Sequence, residues 1–234
     1  MRLPSILAVA TIVSAGASLG AWQLSRLGVH QGYSPGQPIA FPHKVHAGEN
    51  RIPCLYCHYA ARTSRHAGIP PASVCMNCHG MLEKQTTEIA KLKEAVQQNR
   101  PIAWVKVHNL PDFVYFNHSQ HVLSGVACQR CHGPVEQMDR VRQEAPLTMG
   151  WCLDCHREPE KFLRPREEVV NPSWTPPKDT KAVLADLIER GIAKEGDPVL
   201  AAVAGISDPQ LALGTALKDH YGVHTRTSCT TCHR

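Results

Sequence analysis

Cys54-Leu55-Tyr56-Cys57-His58 is the first of five pentapeptides of one pattern in this 234-residue chain. The others are Cys75-Met76-Asn77-Cys78-His79, Cys128-Gln129-Arg130-Cys131-His132, Cys152-Leu153-Asp154-Cys155-His156 and Cys229-Thr230-Thr231-Cys232-His233, and together the five use all ten cysteines. Two cysteines three apart on a helical turn present both thiols to one side, and the histidine that follows lies under whatever they hold. This is the attachment sequence for c-type haem: the thiols form thioethers to the porphyrin and the histidine becomes the proximal iron ligand. The pattern predicts five covalently bound haem c groups. Cys54, Cys57, Cys75, Cys78, Cys128, Cys131, Cys152, Cys155, Cys229 and Cys232 are the attachment residues, and His58, His79, His132, His156 and His233 the proximal ligands. Zinc knuckles also use Cys-x-x-Cys. They do not require a histidine at the next position every time, however, and pairing two knuckles per ion strands the fifth. Cysteines three residues apart suit small redox loops, not a structural disulfide framework.

Leu3 to Trp22 is a run of twenty residues without a charge, about the length that spans a bilayer. Arg2 on its N-terminal flank favours the cytoplasm for that end. Ala15-Gly16-Ala17 offers a small-x-small cleavage site for a signal peptide. Against this stands Trp22, placed where an interfacial aromatic anchors a retained helix. The reading taken is a single N-terminal anchor over residues 1–25. Residues 26–234 then lie on the periplasmic side of the inner membrane, where c-type haem is attached.

The soluble part offers roughly 42 residues per motif. Aromatic residues are only 6% of the chain, while glycine and proline number 16 and 18. A chain so short per cofactor cannot bury enough of its own surface, so much of the apolar interior must be porphyrin with loops wrapped around it. The expected fold is mostly α and irregular, a multihaem cytochrome c organised around five haems. The formal charge of +5 is misleading, because five oxidised haems with their propionates add about −5. The basic residues serve propionates, and nucleic-acid binding does not follow from the charge.

The chain contains a duplication. Phe41-Pro42-His43-Lys44-Val45-His46 precedes the first two motifs and Phe116-Asn117-His118-Ser119-Gln120-His121 the third and fourth. The phenylalanine precedes the first cysteine by 13 and 12 residues, and successive first cysteines are 21 and 24 apart. A period of about 75 residues is too long for a solenoid and suits a two-haem module. The periplasmic domain therefore divides into residues 41–80 (haems I–II), 113–156 (haems III–IV), an insertion at 157–219, and 220–234 (haem V). Apolar periodicity predicts a helix from Glu83 to Gln98, stopped by Arg100-Pro101, and another from Thr180 to Arg190, stopped by Gly191. A weaker helical stretch runs through 197–218. Residues 102–116 read as extended and the proline-rich 159–178 as irregular. The segments of the insertion read as packing or docking surface.

Nine histidines lie outside the motifs, and a low-spin haem takes a sixth ligand. Histidines three apart on one turn serve two different irons, which selects His43, His46, His118 and His121 as distal ligands. The fifth distal ligand is assigned to Met149, three residues before Cys152, with His224 and His66 as rivals. A thioether there raises the potential of the fourth haem relative to the others. His30 and His108 read as ordinary polar or propionate-contacting residues.

Three stretches carry a family likeness: Phe41 to His79, Trp104 to His118, and Thr148-Met149-Gly150-Trp151-Cys152-Leu153-Asp154-Cys155-His156. With the N-terminal apolar run and the terminal fifth motif, they resemble the pentahaem cytochrome c subunit of bacterial alternative complex III. The Phe-x-His-x-x-His-to-Cys spacing is similar to class III multihaem cytochromes more broadly. There the first histidine ligates the nearest haem, which implies His43 for the first and His118 for the third; the partners of His46 and His121 stay open. The resemblance implies an electron-transfer subunit of a membrane-bound quinol-oxidising complex. Its partners are iron–sulfur and integral-membrane subunits on the donor side, and a monohaem cytochrome c or terminal oxidase as acceptor. With both faces of every iron taken, no catalytic residue of its own is expected and the chain only relays electrons. Two other readings compete. One is a stand-alone anchored quinol dehydrogenase feeding a periplasmic reductase. The other is an enzyme reducing small nitrogen or sulfur species, which needs a vacant iron face.

Overall fold

A computed structural model describes residues 3–25, 28–83 and 86–233. They fall into two compact units, one within residues 1–30 and one within 31–234.

The first unit is a single helix, α1 (Leu3–Ser25), of 23 residues. At about 1.5 Å per residue it is roughly 35 Å long, and between Pro4 and Leu24 it is long and apolar enough to cross a membrane. A signal sequence shares both properties. Arg2, the expected flanking charge, lies outside the described residues.

The second unit is helical and irregular, with no strand among the described residues. Only two isolated bridges occur, Val114 with His233 and Val126 with Leu163. Every Cys-x-x-Cys-His motif forms or ends a short helix: α2 (Cys54–Cys57), α3 (Ala72–His79), then, beyond α4 (Thr87–Gln97) and α5 (His118–Leu123), α6 (Cys128–His132) and α7 (Met149–Arg157). The insertion holds α8 (Thr180–Glu189), α9 (Pro198–Ala204) and α10 (Pro209–His220), and α11 (Cys229–Cys232) carries the last motif.

The predicted helix at 83–98 begins four residues late, with Lys84 and Gln85 outside the described residues. Thr86 is the reason: itself extended, it caps the helix with its hydroxyl, which accepts from the Ile89 N–H at 3.2 Å. Residues 102–116 read as extended but form no strand: the chain bends at His108, turns at 112–113 and makes a single bridge at Val114. The stretch at 197–218 is two helices, not one. Gly205 ends α9 and the Asp208 carboxylate caps α10 by accepting from Leu211 N–H at 3.1 Å.

Of the two readings of the insertion, packing or docking surface, its core is packing. Leu163, Val183, Leu187, Ala193, Val203, Ala212, Leu213, Ala216 and Leu217 form a closed apolar core, nearly all at 0% exposure. Apart from Leu163, all of them lie on or between α8, α9 and α10. Helix α10 packs so closely on the turn at 159–161 that a Cβ on Gly214 would stand 1.7 Å from the Glu160 carbonyl oxygen. Arg190 ties α8 to residues 167 and 168, reaching Glu167, Glu168 (3.4 Å) and Asp186 (2.9 Å). This is where the polypeptide buries its own surface. Around the motifs the described buried apolar residues are few and include several small ones: Ala61, Leu92, Val122, Ala127, Met138 and Ala145.

The insertion also clamps the two modules. Arg164 N–H donates to Gly125 O at 2.9 Å, and Arg62 of the first module reaches Arg166 O at 3.3 Å. The Cys128 N–H donates to Val169 O at 3.2 Å, and the Cys54 thiol to the next carbonyl, Val170 O, at 3.8 Å.

Candidate haem-binding sites

Each Phe-x-His-x-x-His motif forms one turn that carries both histidines. In the second module Asn117 caps that turn, its Oδ1 accepting from Ser119 N–H at 3.0 Å. In the first, proline stands at the corresponding position and the turn is wider, a π-type helix over Lys44–Glu49 with His43 at its edge. Despite this, the phenylalanine does the same work in both. Phe41 meets His43 edge-on (5.0 Å, 85°) and stacks on His46 (4.1 Å, 25°). Phe116 meets His118 edge-on (4.8 Å, 86°) and lies over His121 (4.5 Å, 31°). One aromatic ring thus orients two imidazoles.

Each of the four then faces the histidine of a Cys-x-x-Cys-His motif. The ring centres of His43 and His58 are 6.5 Å apart, those of His46 and His79 6.1 Å, those of His118 and His132 6.3 Å, and those of His121 and His156 6.0 Å. Two imidazoles bound to one metal at about 2 Å each, with a nitrogen a little over 1 Å from each ring centre, stand about 6 Å apart. The gaps therefore fit one iron each. The geometry places His46 opposite the second motif and His121 opposite the fourth, the two pairings that spacing leaves open.

The other ring nitrogen is held as a metal ligand requires. Nδ1–H donates to a backbone carbonyl in His46 (Pro42, 2.9 Å), His58 (Gly68, 2.7 Å), His118 (Arg65, 2.8 Å), His121 (Asn117, 2.8 Å), His156 (Arg226, 2.9 Å) and His233 (Phe113, 3.2 Å). This fixes the tautomer and turns Nε2 towards the gap. Three differ: the buried Nδ1 atoms of His43 and His79 have no hydrogen-bond partner, and His132 Nδ1 stands 3.3 Å from His108 Nε2, with the rings edge to face at 4.3 Å. Sequence reading treats His108 as an ordinary polar or propionate-contacting residue, and no spacing signal marks it, because it precedes Cys128 by twenty residues and lies in an irregular stretch before α5.

Burial lowers His43, His79, His121 and His132 and so favours their neutral form, the one that binds metal. It pushes His132 down to about 3, helped by His108 and His118 beside it. His43 falls to about 4 through burial and its neighbours His58 and His46. Burial raises the thiols of Cys128 and Cys131 to about 11 and 12. Further donor chemistry fits the group. The Arg130 Nε is buried without a partner, its guanidinium held over Phe162 (4.0 Å) and Trp151 (5.2 Å), a position suited to a haem propionate.

The fifth motif is built differently. His233 packs on the Phe113 ring (5.6 Å, 37°). Met149 opens α7 with its side chain 68% exposed, and His66 and His224 are exposed as well. Among the described residues no three His, Cys, Asp or Glu side chains converge as a metal cluster, so the motifs do not pair into four-ligand knuckles. Asp154 and Glu158 form exposed ion pairs with Arg157 (3.8 Å) and Lys161 (2.7 Å).

Helical turns carrying Cys-x-x-Cys-His, four of them faced by an imidazole from a separate turn, suit the attachment and ligation of c-type haem. Comparison points the same way: residues 114–198 match the family described as cytochrome c7 and related cytochrome c, a similarity that implies covalently bound haem c. Over 97 residues the chain is 34% identical to the menaquinone reductase multihaem cytochrome c subunit of Nitratidesulfovibrio vulgaris. That alignment covers 41% of this chain and 45% of the relative, so the chain spans less than half the length of the protein it matches.

Proposed function

We propose that this chain is the electron-transfer subunit of a membrane-bound quinol oxidoreductase of the alternative complex III type, carrying five covalent haem c groups. Bound haem supplies one-electron chemistry at iron; the chain supplies attachment, both axial faces, spacing and burial. The observation that carries the reading is the set of four imidazole pairs 6.0–6.5 Å apart. Occupied on both sides, such irons leave no face for a substrate, which favours relay over small-molecule reduction. His43, His46, His118 and His121 are the distal ligands of the first, second, third and fourth haems.

With His156 paired to His121, Met149 belongs with the fifth. It opens the helix whose His156 holds Arg226, three residues before Cys229. The high-potential step that a thioether ligand confers therefore sits at the fifth haem and not at the fourth.

The relative's name, menaquinone reductase, supports a quinone-linked role. Electrons pass between an iron–sulfur subunit in contact with the quinone chemistry and a monohaem cytochrome c or oxidase. Residues 1–25 anchor the haem domain to the periplasmic face of the inner membrane.

The test has two parts. Intact mass of the holoprotein should show five haem additions, and purification from detergent-solubilised membranes should recover iron–sulfur and integral-membrane partners. Recovery as a lone monomer that quinol reduces directly would refute the subunit reading and favour the stand-alone dehydrogenase. A high-spin ferric signal in the wild-type protein would refute the pure relay.

A further inference from the structure

We propose that the five haem sites form one unbranched file in the order second, first, third, fourth, fifth, so that the two modules meet through their first sites and the ends of the file are the second and fifth motifs. This rests on the reading that each motif carries a haem. Four junctions support it, each from its own contacts.

The second and first sites are joined twice. His43 and His46, three residues apart, face His58 and His79, and Asn77 Nδ2 of the second motif donates to the Tyr56 hydroxyl of the first at 2.9 Å. The first and third are joined through consecutive carbonyls of the insertion, Val170 taking the Cys54 thiol and Val169 the Cys128 N–H. The third and fourth share the turn carrying His118 and His121, and Arg130 of the third motif lies 5.2 Å over Trp151 of the fourth. The fourth and fifth meet where His156 Nδ1–H donates to Arg226 O.

Solvent exposure orders the sites in the same way. Of the ten cysteines, Cys78 and Cys229 are the exposed ones. They belong to the second and fifth motifs, the two proposed ends. Ring angles add a symmetry about the first–third junction. The imidazole pairs flanking it are nearly parallel, at 3° and 10°, and the pairs one step out are tilted, at 54° and 61°.

The order along the file is therefore not the order along the chain. Each electron delivered at one end by a reduced partner leaves at the other to an oxidised one. No bond is made or broken in this chain and no proton is required of it. One redox partner accordingly exchanges electrons beside Cys78 and the other beside Cys229.

Diffraction from crystals of the holoprotein at the iron absorption edge tests the proposal directly, each iron being assigned to its motif by its attachment cysteines. The expected nearest neighbours are second–first, first–third, third–fourth and fourth–fifth, with the second and fifth irons furthest apart. A second iron closer to the third than the first is, or a fifth iron closest to anything but the fourth, overturns the file while leaving the haem reading intact. Fewer than five haem additions by intact mass overturns the haem reading itself, and the file with it.

Discussion

Replacing His108 tests whether a residue with no motif of its own tunes one haem out of five. His132 must keep Nε2 free for iron, so its proton sits on Nδ1 and is donated to His108 Nε2, 3.3 Å away. Coordination to ferric iron withdraws more charge from the ring than coordination to ferrous iron, so the donated bond is stronger in the oxidised state. A buried hydrogen bond contributes about 1 kcal/mol net. If most of that is specific to the oxidised form, its loss raises the potential of the third haem by about 40 mV, since 59 mV corresponds to about 1.4 kcal/mol for one electron. His108→Leu keeps bulk but removes the acceptor, and His108→Gln restores one. Potentiometric titration of the holoprotein, followed by visible absorption and low-temperature electron paramagnetic resonance, reads the change. The expected result is one step of the five moved upward by roughly 40 mV in the leucine variant, smaller shifts at its neighbours, and most of the change recovered by glutamine. Equal shifts in both variants, or none in either, would refute the reasoning, because then the contact is packing alone.

Other perturbations separate ligation from folding. His121→Ala removes one ring of the pair facing His156; one high-spin ferric signal should appear with the remaining sites low-spin, measured by electron paramagnetic resonance. Leu213→Ala, at a site of 0% exposure, should cost about 3–5 kcal/mol in melts followed by circular dichroism. Gly214→Ala should cost about 3 kcal/mol or more, because the new Cβ meets the Glu160 carbonyl. Acid should loosen the insertion. Burial alone would raise the Glu167 carboxyl, but hydrogen bonds from its own backbone and from Arg190 hold it below the usual range. A carboxyl lowered in the folded state stabilises fully above its unfolded pKa of about 4.3, and that contribution is lost as pH falls through the folded value. Trp174 fluorescence should report the change below about pH 4, and Arg190→Leu should weaken that pH dependence, leaving the part due to the backbone hydrogen bond.

The candidate ligand residues are legible as a pattern because the chemistry they suggest is local. A cysteine pair and the following histidine occupy one turn, and two histidines three apart occupy another, so residue type and spacing suffice. The partners of His46 and His121 were not legible, because each lies across an irregular segment whose path no periodicity records. His108 was hidden for the same reason: its role is set by where residues 102–116 run, and they run without secondary structure. The insertion misled in a different way. Its apolar residues at 197–218 look weakly helical as one stretch. They resolve once Asp208 and Gly205 divide it into two short helices that close on α8 around Leu213 and Leu217.

That closed core explains how the rest of the domain can be so poor in buried side chains. The modules contribute small buried residues such as Ala61, Ala127 and Ala145, and a haem edge fits against small residues where a leucine would compete for the space. Such modules gain little by folding without their cofactor. The insertion gains much, and it fastens to both modules through Arg164, Arg166 and the carbonyls at 169 and 170. It therefore acts as the rigid element against which the first and third sites are set. The nearly equal ring angles at those sites follow from two constraints acting together. Phe41 and Phe116 orient the distal imidazoles alike within each turn, and the consecutive carbonyls of Val169 and Val170 place the two attachment helices side by side. A relay needs its interior sites held at constant separation more than its ends, which must meet partners. The deepest burial and the most conventional packing in this chain fall at and beside the junction of its two modules.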